Sequence, residues 1–403
     1  MQTLKSIWLF ATSLVIVVFS TNAQERVYAS LDFYGDTIQF DYSKQAIVDY
    51  NSALSASSIS AFHNQIKEAD LSSILKGLAD YKSHHKPDDW LFYQLIRRVA
   101  QHLSPKADNY HRYTLYKWFL LKYSGYDAIL AISDHKILFY VQSDENIYNI
   151  PFRVKSGKQY VCLNYHDYGQ IDFEKESFTE VTTEAPGVQR AFSYKLTRLP
   201  DFKSVEYLEK EVQFRYNESE YQFKLKLNPH VKSIFNNYPA TDYAAYFDAP
   251  LSTEAYSSLI PLLKKHVKKM STRNGVDFLM RFTRYAFLFQ PDTEVYGQEK
   301  RFLPEQTLLS EASDCEDRAA LFFYLVKEVY NLSMIVLAYP EHVTIAVKFE
   351  KPIGHSIVYN GSKYSVCDPT PQKYDLRIGQ LMPELRNRSY EIAYVYTPGT
   401  LAE

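Results

Sequence analysis

Three residues in the C-terminal third of this 403-residue chain are of the types that perform nucleophilic thiol chemistry. Cys315, His342 and Asp368 follow one another in the chain, each at the edge of a predicted helix or strand. A thiol can attack an amide carbonyl, an imidazole can accept the thiol proton, and a carboxylate can hold the imidazole in the required tautomer. The elements around these residues must therefore bring them together.

The cysteine is predicted to lie in the first turn of a helix over residues 314–330. Ser313 followed three places later by Glu316 forms the pattern of a capping box. An apolar run follows, and Asn331 suits the left-handed position after the last turn. The free backbone N–H groups and the dipole of a first turn favour a thiolate at Cys315. The neighbouring carboxylates oppose it, so an imidazolium nearby would have to outweigh them.

Predicted strands carry the other two residues. The apolar run at residues 333–339 is typical of a buried strand, and His342 opens a second strand after a short turn. Asn360-Gly361 is a strong hairpin signal between two further strands. Asp368 lies at the end of the second of these strands. A helix N-terminus facing this sheet would place the thiol, the imidazole and the carboxylate side by side.

The motifs D-C-E-D-R-A, Y-P-x-H-V-x-x-A-V and Y-x-V-C-D-P-T, in this order, resemble the transglutaminase-like superfamily of papain-type thiol enzymes. The similarity covers residues 275–380. It implies an α+β fold in which the helix that carries the cysteine packs on an antiparallel sheet. It also implies that Cys315 is the nucleophile, His342 the base and Asp368 the orienting carboxylate.

One position departs from the pattern of that family. Many relatives have a glutamine upstream of the cysteine that helps to bind the oxyanion. Arg284 stands in the corresponding segment, and the registers of Gln290 and Gln298 do not fit. An arginine can stabilise an oxyanion, but its presence can also mean that acyl transfer has been lost, and the sequence leaves both open.

Composition places the chain among globular proteins with two or three domains, since 46% of its residues are hydrophobic and 23% are charged. A net charge of -2 gives no argument for a nucleic-acid partner. The histidines and cysteines fit no metal-binding spacing, so neither a metal nor another cofactor is expected. Cys162 and Cys367 lie in apolar strand patterns and are predicted to be buried core residues.

The first 23 residues have the pattern of a signal peptide. Lys5 precedes an apolar run at residues 7–19, and Thr21-Asn22-Ala23 offers small residues for cleavage. We therefore expect an exported protein, periplasmic or secreted, with no membrane segment beyond the signal peptide. A retained anchor is the alternative, although the apolar run is short for a membrane span.

Between the signal peptide and the C-terminal domain, the patterns predict three further regions. Residues 24–65 form a hairpin and a helix, and residues 66–170 form a domain of helices and sheet. Residues 171–250 form a small antiparallel β-module, because residues 192–196, 212–216 and 221–227 alternate between polar and apolar. The transglutaminase-like domain covers residues 251–403, with a long loop or lid at residues 292–309.

Residues 66–170 repeat the element order of the C-terminal domain: helix, strand, turn, strand, hairpin and a strand with a cysteine. We expect either a degenerate copy of the catalytic unit without its triad or a chance match of a common arrangement. A different strand order in the two segments would exclude the copy. Laying Leu115 on Leu321 matches Asn109 to Cys315 and Lys136 to His342, and laying Cys162 on Cys367 matches Leu163 to Asp368.

These residues predict an exported thiol enzyme of transglutaminase-like type that hydrolyses a peptide or isopeptide amide through a Cys315 thioester. Water is the default acyl acceptor unless a site excludes it. The substrate would be a peptide, a protein or a cell-wall peptide. The alternatives are an inactive binding or scaffold protein on the same fold and a true protein-glutamine gamma-glutamyltransferase. The sequence does not determine the oligomeric state.

Overall fold

The computed structural model describes residues 25–169, 171–184, 186–291, 294, 300–371, 373 and 375–399. The predicted signal peptide lies outside these ranges. The described chain mixes helices and sheets, as the α+β class predicted. Among the helices in these ranges, none is long and apolar enough to cross a membrane.

The N-terminal part is a hairpin followed by helices, as predicted. Asp88 begins the third helix by accepting a hydrogen bond from the N–H of Leu91 through its side chain. The elements are β1 (Arg26–Phe33), β2 (Asp36–Ser43), α1 (Ala56–Glu68), α2 (Ser72–His85) and α3 (Asp89–Leu103).

The first helix–sheet unit, residues 110–181, consists of one long helix and an antiparallel sheet. Its elements are α4 (Tyr110–Tyr123), β3 (Ala128–Ile132), β4 (Ile137–Gln142), β5 (Ile147–Tyr148), β6 (Phe152–Lys155), β7 (Lys158–Cys162) and β8 (Thr179–Val181). Five of these strands form one sheet in the order β6-β7-β4-β3-β8. Strand β5 is not part of this sheet.

Residues 182–250 contain less sheet than predicted. Their elements are β9 (Leu208–Tyr216), β10 (Ser219–Leu227), α5 (His230–Ile234), β11 (Ala240–Thr241) and α6 (Tyr243–Phe247). Strands β9 and β10 form the predicted hairpin, and β11 pairs with β5.

The strand predicted at residues 192–196 does not form. Phe192 and Tyr194 are buried, which explains the alternation. The N–H of Phe192 donates to the carbonyl of Gln142, but carboxylates accept the next two: the N–H of Ser193 donates to Asp89 and that of Tyr194 to Glu145. An alternating pattern reports burial of one face, whereas a strand also needs a partner strand.

The C-terminal part contains α7 (Thr253–Val267), α8 (Thr272–Tyr285), β12 (Leu288–Phe289), α9 (Pro304–Leu309), β13 (Ala312–Ser313), α10 (Cys315–Tyr330), β14 (Met334–Tyr339), β15 (His342–Val347), β16 (Ser356–Tyr359), β17 (Ser362–Cys367) and β18 (Glu391–Tyr396). We call residues 315–396 the second helix–sheet unit. Its sheet has the order β16-β17-β15-β14-β18. Helix α9 lies where a loop was predicted, and its buried Glu305 accepts hydrogen bonds from the N–H and hydroxyl of Ser252.

The two units have the same topology. In each, a helix is followed by five strands of one sheet, and the first to fifth of these strands lie in the spatial order third, fourth, second, first, fifth. All pairs in both sheets are antiparallel. This is the arrangement that an internal copy requires, and common origin of the units stays a hypothesis.

The matching positions differ by one residue from those that the helix pattern predicted. The N-cap residues are Asn109 in α4 and Asp314 in α10. Asn109 and Asp314 are as far apart in the sequence as Cys162 and Cys367. The two cysteines also have matching partners across their sheets, because Cys162 lies opposite Tyr140 and Cys367 lies opposite Ile345. In this register Tyr110, and not Asn109, matches Cys315, while Ile137, and not Lys136, matches His342; Leu163 matches Asp368.

Candidate functional site

Cys315 is the first residue of α10, and Asp314 caps the helix. The Asp314 carboxylate accepts hydrogen bonds from the N–H groups of Glu316 at 3.1 Å and Asp317 at 3.2 Å. The predicted capping box on Ser313 is therefore wrong by one residue. Ser313 belongs instead to β13, which pairs in parallel with β12. This pairing fixes the chain immediately before the thiol.

Arg318, one turn along α10, ties the thiol helix to the end of α8. Its guanidinium is fully buried, and burial lowers its pKa to about 10. Within the described residues, the guanidinium donates all of its hydrogen bonds to backbone carbonyls, and these bonds offset the cost of its burial. The acceptors are Ser313 at 3.3 Å, Thr283 at 3.0 Å, Arg284 at 2.8 Å, Phe287 at 3.0 Å and Leu288 at 2.7 Å.

His342 and Asp368 meet because β15 and β17 are neighbours in the sheet. Ile345 lies opposite Cys367, so Asp368 emerges beside the start of β15. Nε2 of His342 is 2.9 Å from Oδ2 of Asp368, and both side chains are buried. The other carboxylate oxygen accepts the N–H of Thr370 at 3.0 Å. The Asp368 carboxylate is therefore held from both sides, and it orients the imidazole so that Nδ1 is its free nitrogen.

The thiol lies beside the same strand. The backbone N–H of Val343, the residue after His342, donates a hydrogen bond to the sulfur of Cys315. Hydrogen bonds in the described ranges join His342 to Asp368, but none joins the thiol to the His342 ring. The structure thus brings Cys315, His342 and Asp368 to one end of one sheet, with the imidazole–carboxylate pair formed and the thiol–imidazole pair not formed.

The electrostatic surroundings favour the neutral thiol. Burial raises the pKa of Cys315, and the charges of Asp314 and Glu316 raise it further. The hydrogen bond from Val343 acts in the opposite direction and is the smaller effect. Cys315 is therefore a protonated thiol in the resting protein, and a base must remove its proton for it to react.

Arg284 lies behind the carboxylate of the candidate site. Its side chain is 1% exposed. Nη2 donates to the backbone carbonyl of Asp368, and Nη1 donates to the carbonyl of Leu376 at 2.8 Å and to Asp375 at 2.9 Å. Arg284 therefore positions the segment that carries Asp368. Its predicted part in binding an oxyanion stays a prediction.

No model of a known protein family matches this chain. A comparison with curated proteins finds no match either. The resemblance to the transglutaminase-like superfamily therefore stays a prediction from the three sequence motifs.

The structure also places Leu288 and Phe289, which sequence reasoning did not single out, beside the strand that precedes the thiol helix. Leu288 is 71% exposed and Phe289 is 47% exposed, although Phe289 lies opposite Ser313 in the β12–β13 pair. The N–H of Gln290 then donates to the carbonyl of Ser313 at 3.4 Å, so Gln290 lies beside a residue two places before Cys315. In the sequence, this surface shows only as the two successive apolar residues Leu288 and Phe289.

Cys162 and Cys367 are buried, as predicted. Each ends the fourth strand of its sheet, and burial raises the pKa of both thiols. They are core residues that match each other in the two units. Of the three cysteines, Cys315 alone is partly exposed.

Proposed function

We propose that this protein is a thiol acyl-transfer enzyme of transglutaminase-like type that hydrolyses a peptide or isopeptide amide. Cys315 is the nucleophile, His342 the general base and Asp368 the group that orients the base. The observation that carries the proposal is the buried pair of His342 Nε2 and Asp368 Oδ2 at 2.9 Å, beside the strand residue that hydrogen-bonds the thiol.

The raised pKa of Cys315 means that proton transfer to His342 must accompany the attack of the sulfur on the substrate. Because the resting thiol is protonated, Nδ1 of His342 accepts its proton as the sulfur attacks the amide carbonyl. A C–S bond forms, the C–N bond breaks, and the proton passes from the imidazole to the leaving amine. Water, deprotonated by the same imidazole, then attacks the thioester and releases the acid and the thiol.

The first turn of α10 offers a donor for the developing oxyanion. The Asp314 carboxylate accepts hydrogen bonds from the N–H groups of Glu316 and Asp317. Hydrogen bonds of the described residues include none from the N–H of Cys315, so this donor is available beside the sulfur. Gln290, whose backbone N–H donates to the carbonyl of Ser313 two residues before Cys315, is our candidate for a second donor.

We propose an extended peptide as the substrate. The N–H groups of Leu288 and Gln290 face β13, which leaves the N–H and carbonyl of Phe289 on the outer edge of β12. An extended peptide can pair with such an edge and contact the exposed Leu288 and Phe289 side chains. We further propose, from the pattern of residues 1–23, that the enzyme acts after export.

Acylation by p-nitrophenyl acetate tests the enzyme proposal without knowledge of the natural substrate. We expect a burst of p-nitrophenol and a single acetyl group on Cys315 by peptide mass spectrometry. His342→Ala should slow acylation by a factor of ~10²–10⁴, the usual contribution of a general base. His355→Ala is the matched control, because His355 is an exposed histidine near β16 that should not affect the rate.

An inactive binding or scaffold protein is the second candidate. The raised pKa of Cys315 and the missing hydrogen bond between the thiol and the His342 ring favour it. Equal acylation rates in the wild type and His342→Ala would establish this candidate and exclude the enzyme. Transfer of the acetyl group to an added amine in preference to water would instead favour a gamma-glutamyltransferase type of reaction.

A further inference from the structure

An open cleft lies between the N-terminal β1–β2 hairpin and helix α2. Its volume is about 490 Å³, which is within the range of ligand-binding clefts. One wall is the outer face of the hairpin. The other wall is one side of α2, formed by Ser73, Lys76, Gly77 and Asp80, whose spacing is that of a single helix face. The Ser73 hydroxyl donates to Oδ1 of Asp41 at 2.6 Å, so a hydrogen bond fixes the two walls relative to each other.

Gly77 lies in the middle of α2, where a glycine weakens the helix relative to alanine. Packing does not require the glycine. The methyl group of an alanine would lie 3.6 Å from Cβ of Phe40 and 3.7 Å from the carbonyl oxygen of Gln39, which are ordinary van der Waals distances. Phe40 and Gln39 also line the cleft, so this methyl group would fill part of its floor. The glycine thus keeps space open at a cost to the helix, which indicates that the cleft has an occupant.

The hairpin wall presents polar side chains that the fold does not use. Tyr28 lies opposite Asp41 and Ser30 lies opposite Gln39 in the β1–β2 pair, so the four side chains share one face of the hairpin. Tyr28 is 83% exposed. Among the described residues, the side chains of Tyr28, Ser30 and Gln39 make no hydrogen bond to another protein group. An aromatic ring, a hydroxyl and an amide are therefore available together at this wall.

The charged side chains that line the cleft are already paired with opposite charges. The Arg26 guanidinium donates to the Asp41 carboxylate, and the Lys76 ammonium donates to the Asp80 carboxylate. An ionic ligand would have to compete with these pairs, whereas a neutral ligand leaves them intact. The lining thus favours a ligand that is polar but carries no charge.

We propose that the cleft between the β1–β2 hairpin and α2 binds a neutral sugar chain. A pyranose ring has C–H faces and hydroxyl edges. One face stacks on the Tyr28 ring, and the hydroxyls exchange hydrogen bonds with the Ser30 hydroxyl and the Gln39 amide, each of which both donates and accepts. Because the cleft is open to solvent, it suits a segment of a longer chain better than an enclosed single sugar. The proposal does not depend on the chemistry of Cys315.

Calorimetric titration of the full chain with neutral tetrasaccharides tests the proposal. The probes are cellotetraose, maltotetraose, mannotetraose and N-acetylated chitotetraose, with tetra-alanine as the peptide probe. We expect at least one sugar to bind with a Kd on the order of 10⁻⁴–10⁻³ M, since an open cleft encloses little of its ligand. Tyr28→Ala should weaken this binding about tenfold. Tyr148→Ala is the control, because Tyr148 is an exposed tyrosine on β5, outside the cleft. Binding of no sugar, or of tetra-alanine alone, would overturn the proposal.

Gly77→Ala separates a binding role of this glycine from a structural one. The variant should raise the melting temperature by about 1–3 °C, because alanine favours the helix, and should weaken sugar binding about tenfold or more. Ser83→Ala is the matched control, because Ser83 is exposed on the same helix and does not line the cleft. It should also stabilise the helix but leave sugar binding unchanged. A lower melting temperature or an unchanged sugar affinity in Gly77→Ala would overturn the proposal, and Tyr28→Ala keeps it testable if Gly77→Ala fails to fold.

Discussion

Oδ2 of Asp368 lies 2.9 Å from Nε2 of His342, although the two residues belong to different strands. A carboxylate accepts a hydrogen bond from the nitrogen that it faces, so Nε2 carries the hydrogen and Nδ1 is left as a base. The Val343 N–H next to this imidazole contacts the sulfur of Cys315. Base and nucleophile are therefore neighbours before any substrate is bound.

Thiol reactivity should follow the raised pKa of Cys315. Below that pKa the thiol is protonated, so the rate of alkylation by iodoacetamide should rise with pH and reach no plateau up to pH ~8.5, the free-thiol value. Glu316→Gln removes a carboxylate that raises this pKa and should increase the rate at pH 7.5 about threefold. Glu328→Gln, near the other end of α10, is the control. A wild-type plateau below pH 7 would contradict the neutral thiol.

Arg284 should act on the reaction through Asp368. Lysine can replace the charge of Arg284 but not its three simultaneous hydrogen bonds to Asp368, Asp375 and Leu376. Arg284→Lys should slow acylation by about 10- to 100-fold, a loss of ~1.4–2.7 kcal/mol, and shift the pH midpoint of the reaction. Iodoacetamide alkylation of Cys315 should change little.

Arg281→Lys is the matched control for this measurement. Arg281 pairs with Asp277 and with Asp375, but its hydrogen bonds and ion pairs in the described ranges do not include Asp368. If both variants slow acylation equally, Arg284 has only the structural part that Arg281 shares, and the positioning of Asp368 is not its contribution.

Arg318 should matter for stability more than a surface charge. Arg318→Met removes the guanidinium that donates to five backbone carbonyls, four of them in buried hydrogen bonds, which should lower the free energy of unfolding by about 3–5 kcal/mol. Urea unfolding measures the change. Arg26→Met, which removes an exposed arginine paired with Asp41, should leave the unfolding free energy nearly unchanged. A loss below about 1 kcal/mol for Arg318→Met would show that water replaces the guanidinium.

Phe289 should bind substrate rather than support the fold. Because its ring is half exposed, Phe289→Ala should alter stability by less than about 0.5 kcal/mol. With a peptide substrate, KM should rise about five- to tenfold while kcat changes little, as expected for lost apolar contact. Val358→Ala, at an exposed position on β16, is the control. An unchanged KM would place the substrate elsewhere.

Local pattern predicted most of the elements that carry the site. Asn331 takes the left-handed conformation after α10, and the positive φ angles of Asn360 and Gly361 form the predicted hairpin turn. These features depend on residues close in sequence, whose steric preferences are intrinsic. The identity of the helix cap, Asp314 instead of Ser313, was not predictable because the β12–β13 pairing, which is tertiary, engages Ser313.

The sequence by itself determined the residue types, the order of elements and the hydrophobic faces, because propensity and periodicity act over a few residues. Only the tertiary structure decided which groups meet. In the folded protein Arg284 donates to the carbonyl of Asp368, and His342 pairs with Asp368. Burial raises the pKa of Cys315, so its thiol is protonated. A local pattern does not predict these contacts, because the neighbouring strands, the groups that bury a side chain and the carbonyl acceptors all come from distant parts of the chain.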